Sequence, residues 1–243
     1  MTHLESMAAG IADLAPSGTI KAAINVGNSV LAQRDQVTGA LGGVSVDLAT
    51  ELGRRLQVPV ELVPFDSAGS VAAAVLTGAW TIAFLAIDPA RAVEIEYTTP
   101  CVVIEATYAV PAGSELRTIA DVDRPGVRIA VSNNSAYDLY LKRHIRHATL
   151  VRAHSPAESL IMFLHDRLEA AAGVRQPLER FAAEQGGLRV MEGRFTGIEQ
   201  AMCVPKGRAT GARCLQGFIE EMKASGFVVD SLRRSGQDEQ LAA

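Results

Sequence analysis

Arg91 is the residue of this 243-residue chain whose setting most invites chemistry. It follows Thr81-Ile82-Ala83-Phe84-Leu85-Ala86-Ile87, an apolar run of strand formers, and the breaker pair Asp88-Pro89. An apolar run bounded by breakers reads as a strand covered on both faces. Asp88 as N-cap and Pro89 at the first helical position predict a short helix over Pro89–Val93. A cation in a first helical turn opposes the positive end of the helix dipole. A bound anion would reverse that sign, because it would accept hydrogen bonds from the free backbone N–H groups and the guanidinium together. The competing reading places Arg91 in water or beside Glu94 or Glu96.

A second corner has the same form. Val127–Val131 reads as a strand, and "SNNSAYDLYLKRH" follows it. Ser135 with Asp138 three residues on is a capping-box pattern, so another strand feeds a helix start. His144 and His147 lie three apart on that helix, a spacing that could suit a metal. They sit among Lys142, Arg143 and Arg146 in the last turn, and the cluster reads as a solvated, dipole-complementing helix end. No metal site is predicted. No G-x-G-x-x-G, P-loop, H-E-x-x-H or G-x-S-x-G occurs, so neither a cofactor nor a catalytic residue is assigned.

Those corners need elements to hold them. Ile20–Val26 reads as a strand. Val44, Leu48, Leu52 and Leu56 recur at intervals of four and predict an amphipathic helix. Val58–Pro64 follows as a strand, Ala68–Leu76 as a helix, then the Thr81–Ile87 strand. This alternation predicts a parallel, helix-flanked sheet. Tyr97–Val110 is one long extended stretch. A second series then runs through a strand at Leu150–Ala153, a helix at Ala157–Asp166, a strand at Leu168–Val174, a helix at Pro177–Ala183 and a strand at Leu188–Val190. A second long extended stretch spans residues 190–205, and Thr210–Ser225 reads as a helix. The tail from Arg233 is polar and is expected to be loose. The fold class is α/β: two lobes, the second inserted into the first and joined by two crossover segments. Lobe 1 is 19–108 with 200–243, lobe 2 is 109–199, and 1–18 is an N-terminal extension. Ligands of open α/β sheets bind beyond the carboxyl ends of the strands, which brings both corners to a cleft.

The net charge is −4 and basic runs are short, so nucleic acid is not a predicted partner. Cys101, Cys203 and Cys214 suggest neither a disulfide framework nor a zinc site, with a Cys203–Cys214 bridge left open. The first 18 residues carry Glu5 and Asp13, no Lys or Arg and no sustained apolar stretch. That is not a secretory signal pattern. No later run is long enough to span a membrane. The chain as written is therefore expected to stay where it is made.

"GTIKAAINVGN", "GGVSVDLATELGRRLQVPVELVPFD", "LTGAWTIAFLAIDPARAVEIEYTTPCVV" and "IADVDRPGVRIAVSNNSAYD" together resemble the family 3 extracellular solute-binding proteins. These are amino-acid receptors of ABC transporters, with the type II periplasmic-binding-protein fold. The resemblance covers nearly all of residues 19–230 and lies in order and spacing. It implies a periplasmic place, an ABC permease as partner, and hinge closure on a small ligand. It also implies that Arg91 clamps the ligand carboxylate. Ala86 stands where a Ser or Thr usually assists. Asn134-Ser135-Ala136 match the second lobe's helix start, Asn133, Asn134 and Ser135 are expected to close over the ligand, and Asn28 and Phe84 line the cleft, with Phe84 as its apolar wall. Asn28 and Phe84 also read as turn or core residues. The acidic residue that pairs with a ligand ammonium falls at Val174, followed by Arg175. Thr81 replaces a usual Asp and Cys101 a usual Tyr. The missing acid favours an organic acid, or an amino acid held in an unusual way. Arg175 would suit a second carboxylate, or else lies on the surface before Pro177.

The same resemblance leaves two other functions open. Cyclohexadienyl (arogenate/prephenate) dehydratases resemble these receptors and need a cleft acid, for which Glu105 and Glu199 are the candidates. Both also read as surface residues. An intracellular ligand sensor of the same two-lobe shape is the other.

Overall fold

Strands and helices alternate along the described residues, 10–243, of the computed structural model. In chain order they are β1 (Ile20–Asn25), β2 (Gln33–Arg34), β3 (Leu41–Gly42), α1 (Val44–Leu56), β4 (Val60–Phe65), α2 (Ala68–Ala73), β5 (Ile82–Ala86) and β6 (Ile95–Pro111). There follow β7 (Arg128–Ser132), α3 (Ala136–His144), β8 (Thr149–Ala153), α4 (Pro156–His165), β9 (Ala170–Val174) and α5 (Arg175–Gln185). The chain closes with β10 (Leu188–Val190), β11 (Thr196–Pro205), α6 (Ala209–Ala224) and α7 (Phe227–Arg234). This is the mixed α/β fold that the apolar periodicity predicts. Among the described residues no helix is long and apolar enough to cross a membrane.

The chain divides into two compact units. One holds the residues through Asp66, with Ser70–Val103 and Glu199–Ala243; the other holds Ser67–Gly69 and Ile104–Ile198. β6 begins in the first and ends in the second, and β11 does the reverse.

In unit 1, β1 lies parallel to both β4 and β5, in the register Ile20↔Val60 to Asn25↔Phe65 on one side and Ala22↔Ile82 on the other. β11 runs antiparallel to β5, with Met202 opposite Phe84. Every residue of β5 is buried, which fits the unbroken apolar run. α1 buries Val44, Leu48 and Leu52, each worth roughly 1.5–3 kcal/mol against exposure. Its start is fixed by Gly43, at φ 102; a Cβ there would lie 2.7 Å from the Leu31 carbonyl oxygen. Only glycine meets both demands.

Thr81 sits just before β5 and stitches it to β1. Its Oγ1 accepts from Lys21 N–H at 3.1 Å, and its own N–H donates to the Lys21 carbonyl at 2.8 Å.

In unit 2, β7 lies parallel to β8 and β9, and β9 and β10 run antiparallel to β6. Phe163 of α4 packs with Ala130, Leu168 and Ala171, and Val151, Leu160 and Phe181 close around them.

Three expectations are corrected. Residues 89–93 form turns, not a helix. Asp88 Oδ1 accepts from Ala90 N–H at 2.8 Å, and β6 already begins at Ile95. Eight residues between two strands leave too little length to offset the cost of nucleating a helix. The predicted Ala68–Leu76 helix stops at Ala73 and continues as a 3-10 turn over Val75–Thr77, closed by left-handed Gly78. The tail is not loose. Just before it α7 buries Val228 and Leu232, four residues apart, and within it Arg234 Nη2 donates to Asp47 Oδ2 of α1 at 2.8 Å. Further along, Val102 pairs with Ala242, and Ala243 N–H donates to the Cys101 carbonyl at 3.1 Å.

Part of the predicted N-terminal extension is integral to unit 1. Asp13 Oδ2 accepts the N–H groups of Thr210 and Gly211 at the start of α6, at 3.1 and 2.8 Å, and Leu14 is fully buried. Cys101, Cys203 and Cys214 are free thiols, so the bridge left open between the last two does not form.

Candidate ligand-binding site

Arg91 faces inward. It is 6% exposed, which rules out both the solvated arginine and the surface ion pair with Glu94 or Glu96. The turn after β5 carries it back toward the strand, and its Nη1 donates to the Ala86 carbonyl at 3.2 Å. Burial pushes the guanidinium below its ordinary value, and the neighbouring Tyr97, Asp88 and Cys203 oppose that shift. An arginine stays charged even so. The Tyr97 hydroxyl beside it is buried, and burial raises its pKa. A cation desolvated this far gains most from an anion that matches its planar fork.

Of the other expected unit 1 residues, Ala86 touches this arginine. Ala86, 3% exposed, offers its carbonyl rather than a side chain. Phe84, 4% exposed, packs in β5. Asn28 is buried in the turn after β1. Its Oδ1 accepts from Val30 N–H at 3.3 Å, and its carbonyl accepts from Leu31 and Ala32.

In unit 2 the corner after β7 brings Asn133, Asn134 and Ser135 together. Asn133 and Asn134 are exposed, and Asn134 is left-handed at φ 54, a conformation asparagine tolerates. Ser135 is the buried N-cap of α3, its Oγ accepting from Asp138 N–H at 3.1 Å. The sequence predicts a capping box here, and the serine half forms. The aspartate half is displaced by one residue: Asp138 Oδ2 accepts from Asn134 N–H at 2.9 Å. Asp138 is 1% exposed and pairs with Arg152, whose Nε and Nη2 both lie 3.0 Å from Oδ1.

Arg175 is occupied by its own unit. Its Nε donates to Glu105 Oε2 at 2.8 Å, its Nη1 to the Met191 carbonyl at 3.3 Å, and its Nη2 to the Gly193 carbonyl. Glu105 also accepts from Arg194 Nη1 at 3.4 Å. The Glu199 side chain is exposed, while its carbonyl accepts from Ile87 N–H. His144 stacks on Tyr140 at 3.8 Å between ring centroids. Among the described residues no group of three or more His, Cys, Asp or Glu is placed to hold a metal.

Sequence reasoning missed Arg152 and its pairing with Asp138. The signal was present: Arg152 is a lone cation near the carboxyl end of a short strand, the setting that drew attention to Arg91.

The sequence model of the bacterial extracellular solute-binding proteins, family 3, matches residues 29–234. No match is found among curated protein sequences. Several solved structures share the fold. A mutant of ArgBP from T. maritima is 20% identical, with 92% of this chain and 96% of that one covered and a TM-score of 0.78. An amino acid ABC transporter substrate-binding protein, AbpA from Streptococcus pneumoniae, bound to L-arginine, is 16% identical, with coverage of 91% and 96% and a TM-score of 0.79. An ancestral amino acid-binding protein, a precursor of cyclohexadienyl dehydratase, is 21% identical, with coverage of 92% and 97% and a TM-score of 0.76.

Proposed function

Because the chain belongs to the bacterial extracellular solute-binding proteins, family 3, we propose that it captures a small carboxylate-bearing ligand, an amino acid or an organic acid, as the binding component of an ABC transporter. The observation that carries this reading is the buried Arg91, held at the end of β5 by the Ala86 carbonyl. Its role is to clamp the ligand carboxylate. The corner at Asn133, Asn134 and Ser135 in unit 2 is the second candidate for contact with the ligand, and β6 and β11 are the strands through which the chain passes between the units. Family membership supports an ABC permease as partner and a periplasmic place.

Binding is the better reading than a lyase. The similarity to a dehydratase precursor keeps that alternative in view. A lyase would need a carboxyl free to pass a proton, and Glu105 accepts hydrogen bonds from two guanidiniums instead.

A thermal-shift screen of the full chain against amino acids, keto acids, dicarboxylic acids, aromatic acids and prephenate tests the proposal. A ligand at about 1,000 times its Kd stabilises by roughly 4 kcal/mol. That is a rise of roughly 8–16 °C at this chain length. A shift with at least one carboxylate is expected. Well-folded protein that responds to none of them would overturn the reading, and consumption of prephenate would replace it with the lyase.

A further inference from the structure

Tyr97 lies near the start of β6, in the same unit as Arg91. Its side chain is half-buried, and its hydroxyl oxygen is wholly buried beside the Arg91 guanidinium. That hydroxyl has no hydrogen-bond partner among the described residues. A buried polar group left unmatched weakens a fold, and each one in a native chain calls for a reason.

The groups around the hydroxyl leave its proton without an acceptor. A guanidinium carries donors only, so Arg91 cannot accept from it. Asp88 Oδ1 accepts from Ala90 N–H at 2.8 Å. The Ala86 carbonyl accepts from Arg91 Nη1 at 3.2 Å. The Cys203 thiol donates to the Ala83 carbonyl at 3.5 Å, and a thiol is a weak acceptor. Burial keeps the Tyr97 hydroxyl protonated. A neutral O–H donor and a charged fork of N–H donors therefore stand side by side. An anion on Arg91 would supply what the hydroxyl lacks. A carboxylate has two oxygens with about four lone-pair sites, enough to accept from both side chains together. A carboxamide is poorly suited, because its –NH2 brings donors to a place already built of donors.

We propose that Tyr97 is a specificity-determining residue whose hydroxyl donates to the carboxylate held by Arg91, so that the pair selects acids over their amides. This rests on the reading of Arg91 as the carboxylate clamp. Arg91 comes from the turn after β5 and Tyr97 from β6, and both belong to unit 1. The subsite is thus built by one unit alone. The unmatched hydroxyl is the mark of its use: a group that weakens the ligand-free chain is kept where function needs it.

The test uses Tyr97→Phe in the full chain, which removes one oxygen and keeps the ring. The first readout is the melting temperature without ligand. Loss of an unmatched hydroxyl should leave the Tm unchanged or raise it. The second is calorimetric titration with the common L-amino acids, pyruvate and phenylpyruvate, each beside its own primary carboxamide. Acids that bind the wild-type chain should bind Y97F about tenfold more weakly, the factor that about 1.4 kcal/mol represents. The amides should bind both chains alike. A merely structural role would weaken acid and amide together.

A lower Tm in ligand-free Y97F would show that the hydroxyl already has a partner in the fold, and would overturn the assignment. So would equal losses for acid and amide. Acid affinities that stay within about twofold of wild type would sink the Tyr97 role and leave the Arg91 clamp standing. Failure of every acid to bind the wild-type chain would sink the clamp, and this inference with it.

Discussion

The Arg91 guanidinium and the Ala86 carbonyl are joined across the turn that separates them, Nη1 donating at 3.2 Å. This bond ties the arginine to the last residue of β5, a strand buried along its whole length. The guanidinium is thereby anchored to the sheet beneath it. Replacing Arg91 by Lys keeps the charge and removes the fork. Affinity for the tightest ligand of the screen should fall by about 100-fold. Calorimetric titration of R91K measures this, and a loss below about threefold would remove the clamp.

The packing of α7 makes a second prediction. Leu232 is fully buried in α7. Leu232→Ala should cost roughly 3 kcal/mol, the middle of the range for such cavities. At this chain length the Tm should drop by about 6–12 °C. An unchanged melting curve would show that α7 is not packed on the chain in solution.

Acid stability offers a third. Arg54 and Arg55 hydrogen-bond to Glu51 and hold its carboxyl down at about 2 in the folded chain. The folded value lies below the unfolded one, so this contribution is full above the unfolded glutamate value of about 4.3 and is lost as pH falls through about 2. E51Q lacks it at every pH. Urea midpoints at pH 6 and pH 3 should therefore lie closer together in E51Q than in the wild-type chain. Equal spacing would show that the arginines do not hold the carboxylate in solution.

The thiols give a fourth. Cys101 and Cys203 are buried, and burial pushes both thiols up, that of Cys101 to about 12. Cys214 is only partly covered. Iodoacetamide on the native chain should modify Cys214 first and leave the other two until urea is added, as read by peptide mass. Early labelling of Cys203 would show that the strand pairing of β11 opens readily.

The strands and helices that carry sustained periodicity were legible from the chain alone. α1 was, because four apolar residues recur at one spacing, and so was β5, because its run is unbroken. α7 was not. Its two buried apolar residues, Val228 and Leu232, lie among Asp230, Arg233 and Arg234, and the polar neighbours hide the spacing. At the site, Arg91 was legible because a lone cation after a buried strand is unusual. Its inward turn was not, since the residues that bury it, Tyr97 and Cys203, come from other strands. The Asp138–Arg152 pair spans fourteen residues and two elements, and no local pattern announces a contact of that kind. The Arg175–Glu105 pair spans seventy and was equally hidden.

Unit 2 is, apart from Ser67–Gly69, one continuous stretch of chain, whereas unit 1 is assembled from pieces on either side of it. A ribosome making this protein releases the strands of unit 2 as a complete set while unit 1 still lacks β11, α6 and α7. Domains generally fold as units during synthesis, so the inserted half can form its core first. The flanking half must wait, with β5 missing its neighbour β11, until the last forty-odd residues have left the tunnel.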